Sequence, residues 1–292
     1  MLNVELLVEY LPNEIAQRRE EGHDVSTLER RWTALKMPAI EIHRPIPEDS
    51  RAAVERAYPE MVALYRDLEA LEGKTPAQSL PPEPSGLEEI RALRPNGPRR
   101  LPLKLSEAQL RDRILGGWIG RGAGCLLGKP VEGWSRESIR AALEHAGEYP
   151  LRDYITYPFP PGVDPKTADV PEAVRRLANR PRGWYRGEFD RMVRDDDMDY
   201  PLLALHVLEQ YGPDFTTEHV GRAWQLKLPY LLVYTAERAA YRNLVNGLRP
   251  PETATVRNPY REWIGAQIRA DLWGWVCPAE PERSWASTVW PN

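Results

Sequence analysis

Two acidic features of the chain have the residue types and spacing of a catalytic or metal-binding site. The first is a run of aspartates, Asp195, Asp196 and Asp197, followed closely by Asp199. Adjacent carboxylates about 4 Å apart repel each other by about 1 kcal/mol in water, and by more in a cleft. Either a helix N-terminus or a bound cation relieves this repulsion. The run therefore predicts either an acidic helix cap or a site for a hard divalent cation such as Mg²⁺.

The second acidic feature is Glu132, a single carboxylate in the loop that follows a glycine-rich helix. A glutamate in such a loop is either an exposed surface residue or a group that positions or deprotonates a water molecule or a hydroxyl. We expect Glu132 and the aspartate run to form opposite walls of one site. The five histidines show no metal-ligand spacing. Cys125 lies inside an apolar helix and is expected to be a small packed side chain rather than a nucleophile.

The glycine-rich segment, residues 113–134, is predicted to position Glu132. Six of its glycines fall between positions 116 and 128, and those at positions 116, 120, 124 and 128 lie along one helical face. Because each glycine costs a helix about 1 kcal/mol relative to alanine, we expect another backbone or a ligand to approach this face closely. The segment fits neither a dinucleotide fingerprint, since no strand precedes it, nor a P-loop, since Pro130 follows Lys129 where Ser or Thr is needed.

Composition and charge exclude several classes of protein. The 292 residues are enough for one large domain or two small ones. A net charge of −4 with interspersed signs does not indicate a nucleic-acid surface. No apolar run approaches the roughly 18 residues of a membrane span, and the N-terminus lacks the pattern of a signal peptide. With two cysteines and no disulfide framework, we expect a soluble protein of the reducing cytoplasm.

The pattern of helices and prolines divides the chain into two parts. Strand signals are scarce and apolar residues recur at helical spacing, so we predict an all-α fold. Seven prolines between residues 75 and 102 mark a linker. We therefore predict an N-terminal helical region with its linker, residues 1–102, and a second helical domain, residues 103–292.

Several helix boundaries can be predicted from local signals. Ser106 and Gln109 form a capping box at the start of the glycine-rich helix. Ser135 or Ser138 begins the next helix, and the aspartates begin another that ends near Tyr211. Residues 149–190 show little periodicity and are expected to be a functional loop or a set of short turns. Further helices are predicted over residues 3–22, interrupted at Pro12, and over residues 48–72, 217–226, 229–245 and 261–273.

Three segments carry a resemblance to a known family. Residues 112–132 run from Asp-Arg-Ile-Leu-Gly-Gly to Gly-Cys-Leu-Leu-Gly-Lys-Pro-Val-Glu, and residues 195–198 read Asp-Asp-Asp-Met. They resemble the small-residue helix, Gly-Asp turn and glutamate, and then the Thr-Asp-Asp-Thr, of the ADP-ribosylglycohydrolase family (the dinitrogenase-reductase-activating glycohydrolase-like proteins). Residues 258–271 look like the segment before that family's central helices. The resemblance covers about residues 105–277.

The resemblance implies a fold, a reaction and a set of site residues. It implies an orthogonal bundle of helices that holds two Mg²⁺ ions (Mn²⁺ in some members) and hydrolyses an N- or O-glycosidic bond at the anomeric carbon of ADP-ribose. Asp195, Asp196 and Asp197 are then metal ligands. Glu132 and Asp197 are catalytic, with Glu132 moving as a flap over the site. The implied contacts to ADP-ribose, or to an ADP-ribosylated substrate, are Gly124, Gly128, Asn258 and Tyr260, and aromatic residues of 149–190 are expected to stack on adenine.

Two departures from the family pattern leave other functions open. Cys125 stands where the family's Gly-Asp turn has its aspartate, and no Asp-x-Asp follows Asp199, although the family completes its two-metal site with a late Asp-x-Asp-Ser/Thr. The chain is therefore expected to be the N-terminal part of a longer protein, with an incomplete metal site. One alternative is a catalytically inactive relative that binds ADP-ribose or serves as an interaction module. Another is a purely structural helical protein.

Overall fold

A computed structural model describes residues 4–38, 45–78, 81, 83, 84 and 86–280 of the chain. This described part is all-α, as the sequence predicts, and contains no strand. None of its helices is both long and apolar enough to cross a membrane. The helices are α1 (Val4–Glu20), α2 (Ser26–Ala34), α3 (Glu48–Glu69), α4 (Leu87–Leu93), α5 (Glu107–Gly128), α6 (Arg136–His145), α7 (Glu172–Ala178), α8 (Asp196–Tyr211), α9 (Thr217–Lys227), α10 (Thr235–Val245), α11 (Glu252–Thr255) and α12 (Gln267–Val276).

The first three helices enclose an apolar core. Helices α1 and α2 pack along α3, and side chains such as Leu7, Leu11 and Met61 are fully buried between them. Helix α1 continues through Pro12, so the predicted interruption there is wrong. A proline inside a helix costs about 3 kcal/mol. Burial of several large apolar side chains from the same helix, at about 1.5–3 kcal/mol each, offsets that cost.

This N-terminal core continues into the second part of the chain. Ala236, Ala239 and Tyr260 belong to the same buried cluster as the side chains of α1 and α3. Arg261 also forms ion pairs with Glu14, at 3.0 Å, and with Glu21, at 2.5 Å. The two regions separated by the linker therefore share an interior, and the division into residues 1–102 and 103–292 stays a prediction.

The second part of the chain positions the acidic residues. Helices α8, α9 and α10 enclose a core, and α12 packs along α8. Helix α5 lies against α8. Helices α6 and α7 enclose a separate core with Ile155 and Tyr185. Residues 149–190 consist of turns, α7 and the short 3₁₀ helix Arg182–Trp184, which matches the alternative of short turns.

The predicted caps are confirmed, and two predicted helices begin later than expected. Ser106 and Gln109 form the capping box of α5, and Ser135 caps α6. Helix α10 begins only at Thr235, after the 3₁₀ helix Tyr230–Leu232. Helix α12 begins at Gln267 rather than near residue 261. The preceding segment is held in turns, because the Asn258 side chain accepts a hydrogen bond from the backbone N–H two residues later.

The glycine face of α5 is open in the described part of the chain. A Cβ atom added to Gly116, Gly120, Gly124 or Gly128 would meet no atom within 4 Å. No other backbone of the described residues therefore approaches this face closely, and the approach of a ligand stays a prediction. A close approach occurs instead at Gly117, where an added Cβ would lie 2.9 Å from the Trp275 ring.

Candidate functional site

The aspartate run lies at the N-terminus of α8, where the local sequence can cap the helix. Asp195 is the N-cap, and its Oδ1 accepts a hydrogen bond from the backbone N–H of Asp197 at 3.0 Å. Asp196, Asp197 and Asp199 occupy the first turn, where the helix dipole stabilises negative charge. The acidic-cap interpretation thus describes Asp195, while Asp199 forms an ion pair with Arg194.

Asp195 also forms a nearly dry ion pair with Lys129, from the turn after α5. The Lys129 ammonium contacts Asp195 Oδ2, and the two side chains are only 11% and 10% exposed. The same ammonium lies 4.9 Å from the centroid of the Trp184 ring. Burial alone would lower the pKa of Lys129, but the hydrogen bond to Asp195 and its charge outweigh that effect and raise the pKa. Lys129 therefore carries a positive charge against Asp195.

Asp196 has an unusual protonation equilibrium. Burial raises the pKa of its carboxyl group to about 7, with further contributions from the negative charge of Asp195 and a hydrogen bond between the two side chains. Burial also opposes ionisation of Asp195, but the hydrogen bond from Lys129 outweighs it and holds that pKa below its ordinary value. The two neighbouring carboxyl groups thus titrate far apart, and Asp196 exchanges a proton near neutral pH.

Cys125, from α5, faces the same aspartates. Its sulfur and one carboxylate oxygen each of Asp195 and Asp197 lie within 4.8 Å of one another. Burial raises the pKa of the Cys125 thiol, and the charges of both aspartates raise it further, so the thiol is protonated and hydrogen-bonds to them. The expectation of a small packed side chain did not anticipate these polar contacts.

Glu132 follows the short turn that begins at Lys129, and its place opposite the aspartates stays a prediction. Glu132 is exposed to solvent. Arg180 fixes the turn by donating hydrogen bonds to the backbone carbonyls of Glu132, at 3.0 Å, and of Pro130, at 3.2 Å. The negative charge of Glu132 contributes to the raised pKa of Lys129. Glu132 and Asp195 therefore act on one ammonium group, although no direct contact joins the two carboxylates among the described residues.

Arg121 positions the first turn of α8 against two other helices. Its Nε donates to the backbone carbonyl of Asp197 at 2.6 Å, and its Nη2 donates to the carbonyl of Ile268 at 2.6 Å. The same guanidinium pairs with Asp271 of α12. Sequence reasoning missed both Arg121 and the role of Lys129. The only available signal was their place in the glycine-rich segment, since their partners are far away along the chain.

The four predicted substrate contacts divide into two groups. Gly124 and Gly128 are exposed on α5. Asn258 and Tyr260 are fully buried. Asn258 donates to the carbonyls of residues 236 and 254, at 3.1 and 2.8 Å, and the Tyr260 hydroxyl donates to Glu9 at 2.7 Å. Both side chains are enclosed in the interior, so neither has surface that a ligand could contact.

The aromatic residues of 149–190 divide in the same way. Trp184 is partly exposed and lies beside the Lys129 ammonium, with the Arg180 guanidinium 5.8 Å from its ring centroid. Tyr185 is fully buried, and Tyr157 packs against it at 5.3 Å between ring centroids. Of these three rings, Trp184 is therefore the one next to the acidic cluster.

Comparison with protein families gives one match. The family profile described as ADP-ribosylglycohydrolase matches residues 106–288. The chain belongs to the ADP-ribosylglycohydrolase family. The matched segment begins at the cap of α5 and includes Glu132 and the aspartates of α8. No curated protein and no solved structure matches the chain.

The described residues of this ADP-ribosylglycohydrolase chain include one group of donor atoms that could hold a metal ion. Among the described residues, Cys125, Asp195 and Asp197 form one group whose donor atoms are mutually close. Carboxylate oxygens suit hard cations such as Mg²⁺ and Mn²⁺, whereas a thiol does not suit Mg²⁺. Burial is the main cause of the raised pKa of Asp196, and the negative charge of Asp195 adds to it; a bound cation would relieve the repulsion between these two carboxylates.

Proposed function

We propose that the chain is a metal-dependent hydrolase that cleaves the glycosidic bond of ADP-ribose conjugates. Family membership supports a hydrolase of this type and an ADP-ribosylated substrate. The observation that carries the metal-dependent part is the clustering of Asp195, Asp196 and Asp197 at the start of α8, beside the turn that bears Glu132. In this proposal the three aspartates hold a divalent cation, most simply Mg²⁺ or Mn²⁺.

Each side chain of the cluster has a separate task in the proposed reaction. When bound, the cation would supply Lewis-acid stabilisation of the charge that develops on the sugar. Asp196 would be a ligand of the cation, whose charge would keep this carboxyl group ionised although burial raises its pKa to about 7 in the metal-free protein. Glu132, exposed on a turn fixed by Arg180, is suited to position water at the anomeric carbon. Asp197, whose backbone Arg121 holds, keeps its carboxylate directed at the cluster.

A second candidate function is an inactive relative that binds ADP-ribose without cleaving it. The ion pair between Lys129 and Asp195 favours this alternative, because it satisfies part of the acidic charge without any metal. The protonated Cys125 thiol, where a metal site would gain from a carboxylate, favours it too. The two candidates differ in turnover rather than in the class of ligand.

The decisive experiment measures the release of ADP-ribose from N-linked and O-linked conjugates, with Mg²⁺, with Mn²⁺ and with a chelator. We expect metal-dependent release that falls by about 100-fold or more in Asp196→Ala, since this variant loses a ligand of the cation, whose stabilisation of developing charge is worth several kcal/mol. Asp214→Asn, in the exposed loop before α9, is the matched control and should retain the parent rate. Release that neither a chelator nor Asp196→Ala affects would contradict the proposal. Calorimetric binding of ADP-ribose without release would support the inactive alternative.

A further inference from the structure

Lys129 occupies the position on the aspartate cluster where a cation would bind. Its ammonium contacts Asp195 Oδ2, while Asp195 Oδ1 already accepts the backbone N–H of Asp197. Both oxygens of Asp195 are therefore engaged within the protein. A metal ion that binds an oxygen of Asp195 would lie beside the Lys129 ammonium. Two neighbouring cations repel each other strongly where water is largely excluded.

We propose that Lys129 and a divalent cation compete for Asp195, so that Lys129 sets the metal affinity of the site. This inference rests on the proposed function, because it assumes that the aspartates are the metal ligands. It makes Lys129 a positioning residue that acts through Asp195 and gives it no contact with substrate. The ion pair is about nine-tenths buried on both sides. Solvent and salt therefore screen the repulsion between the Lys129 ammonium and a metal ion at Asp195 less than they would at the protein surface.

The surroundings of Lys129 offer its ammonium another place when a metal binds. The Trp184 ring, 4.9 Å away, can hold a cation over its face. Glu132, three residues further along the same turn, attracts the ammonium as well. Displacement toward these groups would keep the ammonium near a negative charge and an aromatic ring. Metal binding at Asp195 is thereby coupled to the turn that carries Glu132.

The test measures Mn²⁺ binding to the full chain by electron paramagnetic resonance and calorimetry. The variants are Lys129→Met and Lys129→Gln, which keep much of the side-chain length but remove the charge. We expect both to bind Mn²⁺ at least about tenfold more tightly than the parent, while Lys129→Arg stays within about threefold of it. Lys166→Met, which removes an exposed lysine, is the matched control and should leave the affinity unchanged.

Several outcomes separate this inference from the proposed function. Equal or weaker Mn²⁺ binding by folded Lys129→Met and Lys129→Gln, checked by circular dichroism, overturns the inference, whatever the activity. Metal-dependent ADP-ribose release with unchanged Mn²⁺ affinity in these variants overturns it and leaves the proposed function standing. Tighter binding without any release supports the competition and counts against catalysis. Absence of Mn²⁺ binding by every variant overturns both.

Discussion

At the residue scale, one ammonium group gives two neighbouring aspartates different protonation states. Asp195 is ionised, because Lys129 and the N-terminus of α8 stabilise its negative charge. Asp196, one residue later, is half-buried next to that charge and holds its proton up to about pH 7. Neighbouring groups of the same type thus acquire different pKa values from their surroundings, which is a common property of acid–base sites.

The raised pKa of Asp196 makes stability depend on pH. The folded-state value of about 7 exceeds the unfolded value of about 3.9, so folding takes up a proton between these pH values. Stability contributed by this group is present at low pH and is lost as the pH rises from about 4 to 7. Asp196→Asn removes the effect. We expect the free energy of unfolding of this variant to exceed that of the parent by about 1–2 kcal/mol at pH 8, allowing for solvent screening of a partly exposed group.

Urea unfolding with a chelator present, at pH 5 and at pH 8, measures this difference. The gain of Asp196→Asn over the parent should be smaller at pH 5. Asp214→Asn, which changes an exposed carboxylate, should show no such pH-dependent gain. The same gain for Asp196→Asn at both pH values would show that burial does not perturb this carboxyl group as described.

At the element scale, α5 combines one open face with one crowded position. The glycines spaced by four residues have free space beside them, whereas Gly117 lies against Trp275. Trp275 in turn packs against Trp118, with ring centroids 4.8 Å apart and the ring planes tilted by 50°. The low helix propensity of glycine therefore reduces the stability of α5 along its open face. The contact of α5 with α12 depends on the absence of a Cβ atom at Gly117.

This contrast predicts opposite effects of the same substitution in one helix. Gly120→Ala should raise the free energy of unfolding by about 1 kcal/mol, because alanine favours the helix and nothing blocks its methyl group. Gly117→Ala should lower it by about 1 kcal/mol or more, because the methyl group would press against the Trp275 ring. Thermal and urea unfolding of the two variants provide the measurement. Equal effects of the two substitutions would contradict the described packing of α5.

The elements were predictable to the extent that their signals are local. The capping box of Ser106 and Gln109, and the cap at Ser135, depend on residues three positions apart, and both were predicted. The start of α12 was not. The periodicity of residues 261–273 is helical, but the buried side chain of Asn258 holds the first part of that segment in turns. That burial depends on contacts with α10 and α11, which no local pattern indicates.

At the scale of the whole molecule, buried charges join the N-terminal helices to the second region. Arg261 pairs with Glu14 and Glu21, and its side chain is only 11% exposed. Arg18 adds a second cation to the same glutamates. In contrast, the pair between Arg257 and Glu69 lies at the surface. The connection between the regions thus includes the largely buried ion pairs of Arg261 and the exposed pair of Arg257 with Glu69.

Removing each arginine in turn should separate their contributions. We expect Arg261→Met to lower the free energy of unfolding by about 2–4 kcal/mol, because it leaves buried carboxylates with one cation fewer. Arg257→Met should cost less than about 1 kcal/mol, as expected for an exposed pair. Urea unfolding of both variants at neutral pH tests the difference. A cost for Arg257→Met as large as that for Arg261→Met would show that the described burial does not determine the stability of this contact.

The sequence by itself determined the all-α class, most helix boundaries, the family and the position of the aspartates at a helix start. These features depend on composition, on periodicity and on contacts within a few residues, all of which can be read along the chain. The tertiary structure alone decided that Lys129 neutralises Asp195, 66 residues away. It also decided that Arg121 clamps α8 to α12, and that Asn258 and Tyr260 lie in the interior. Such pairings depend on which helix faces meet, and this depends on packing over the whole molecule.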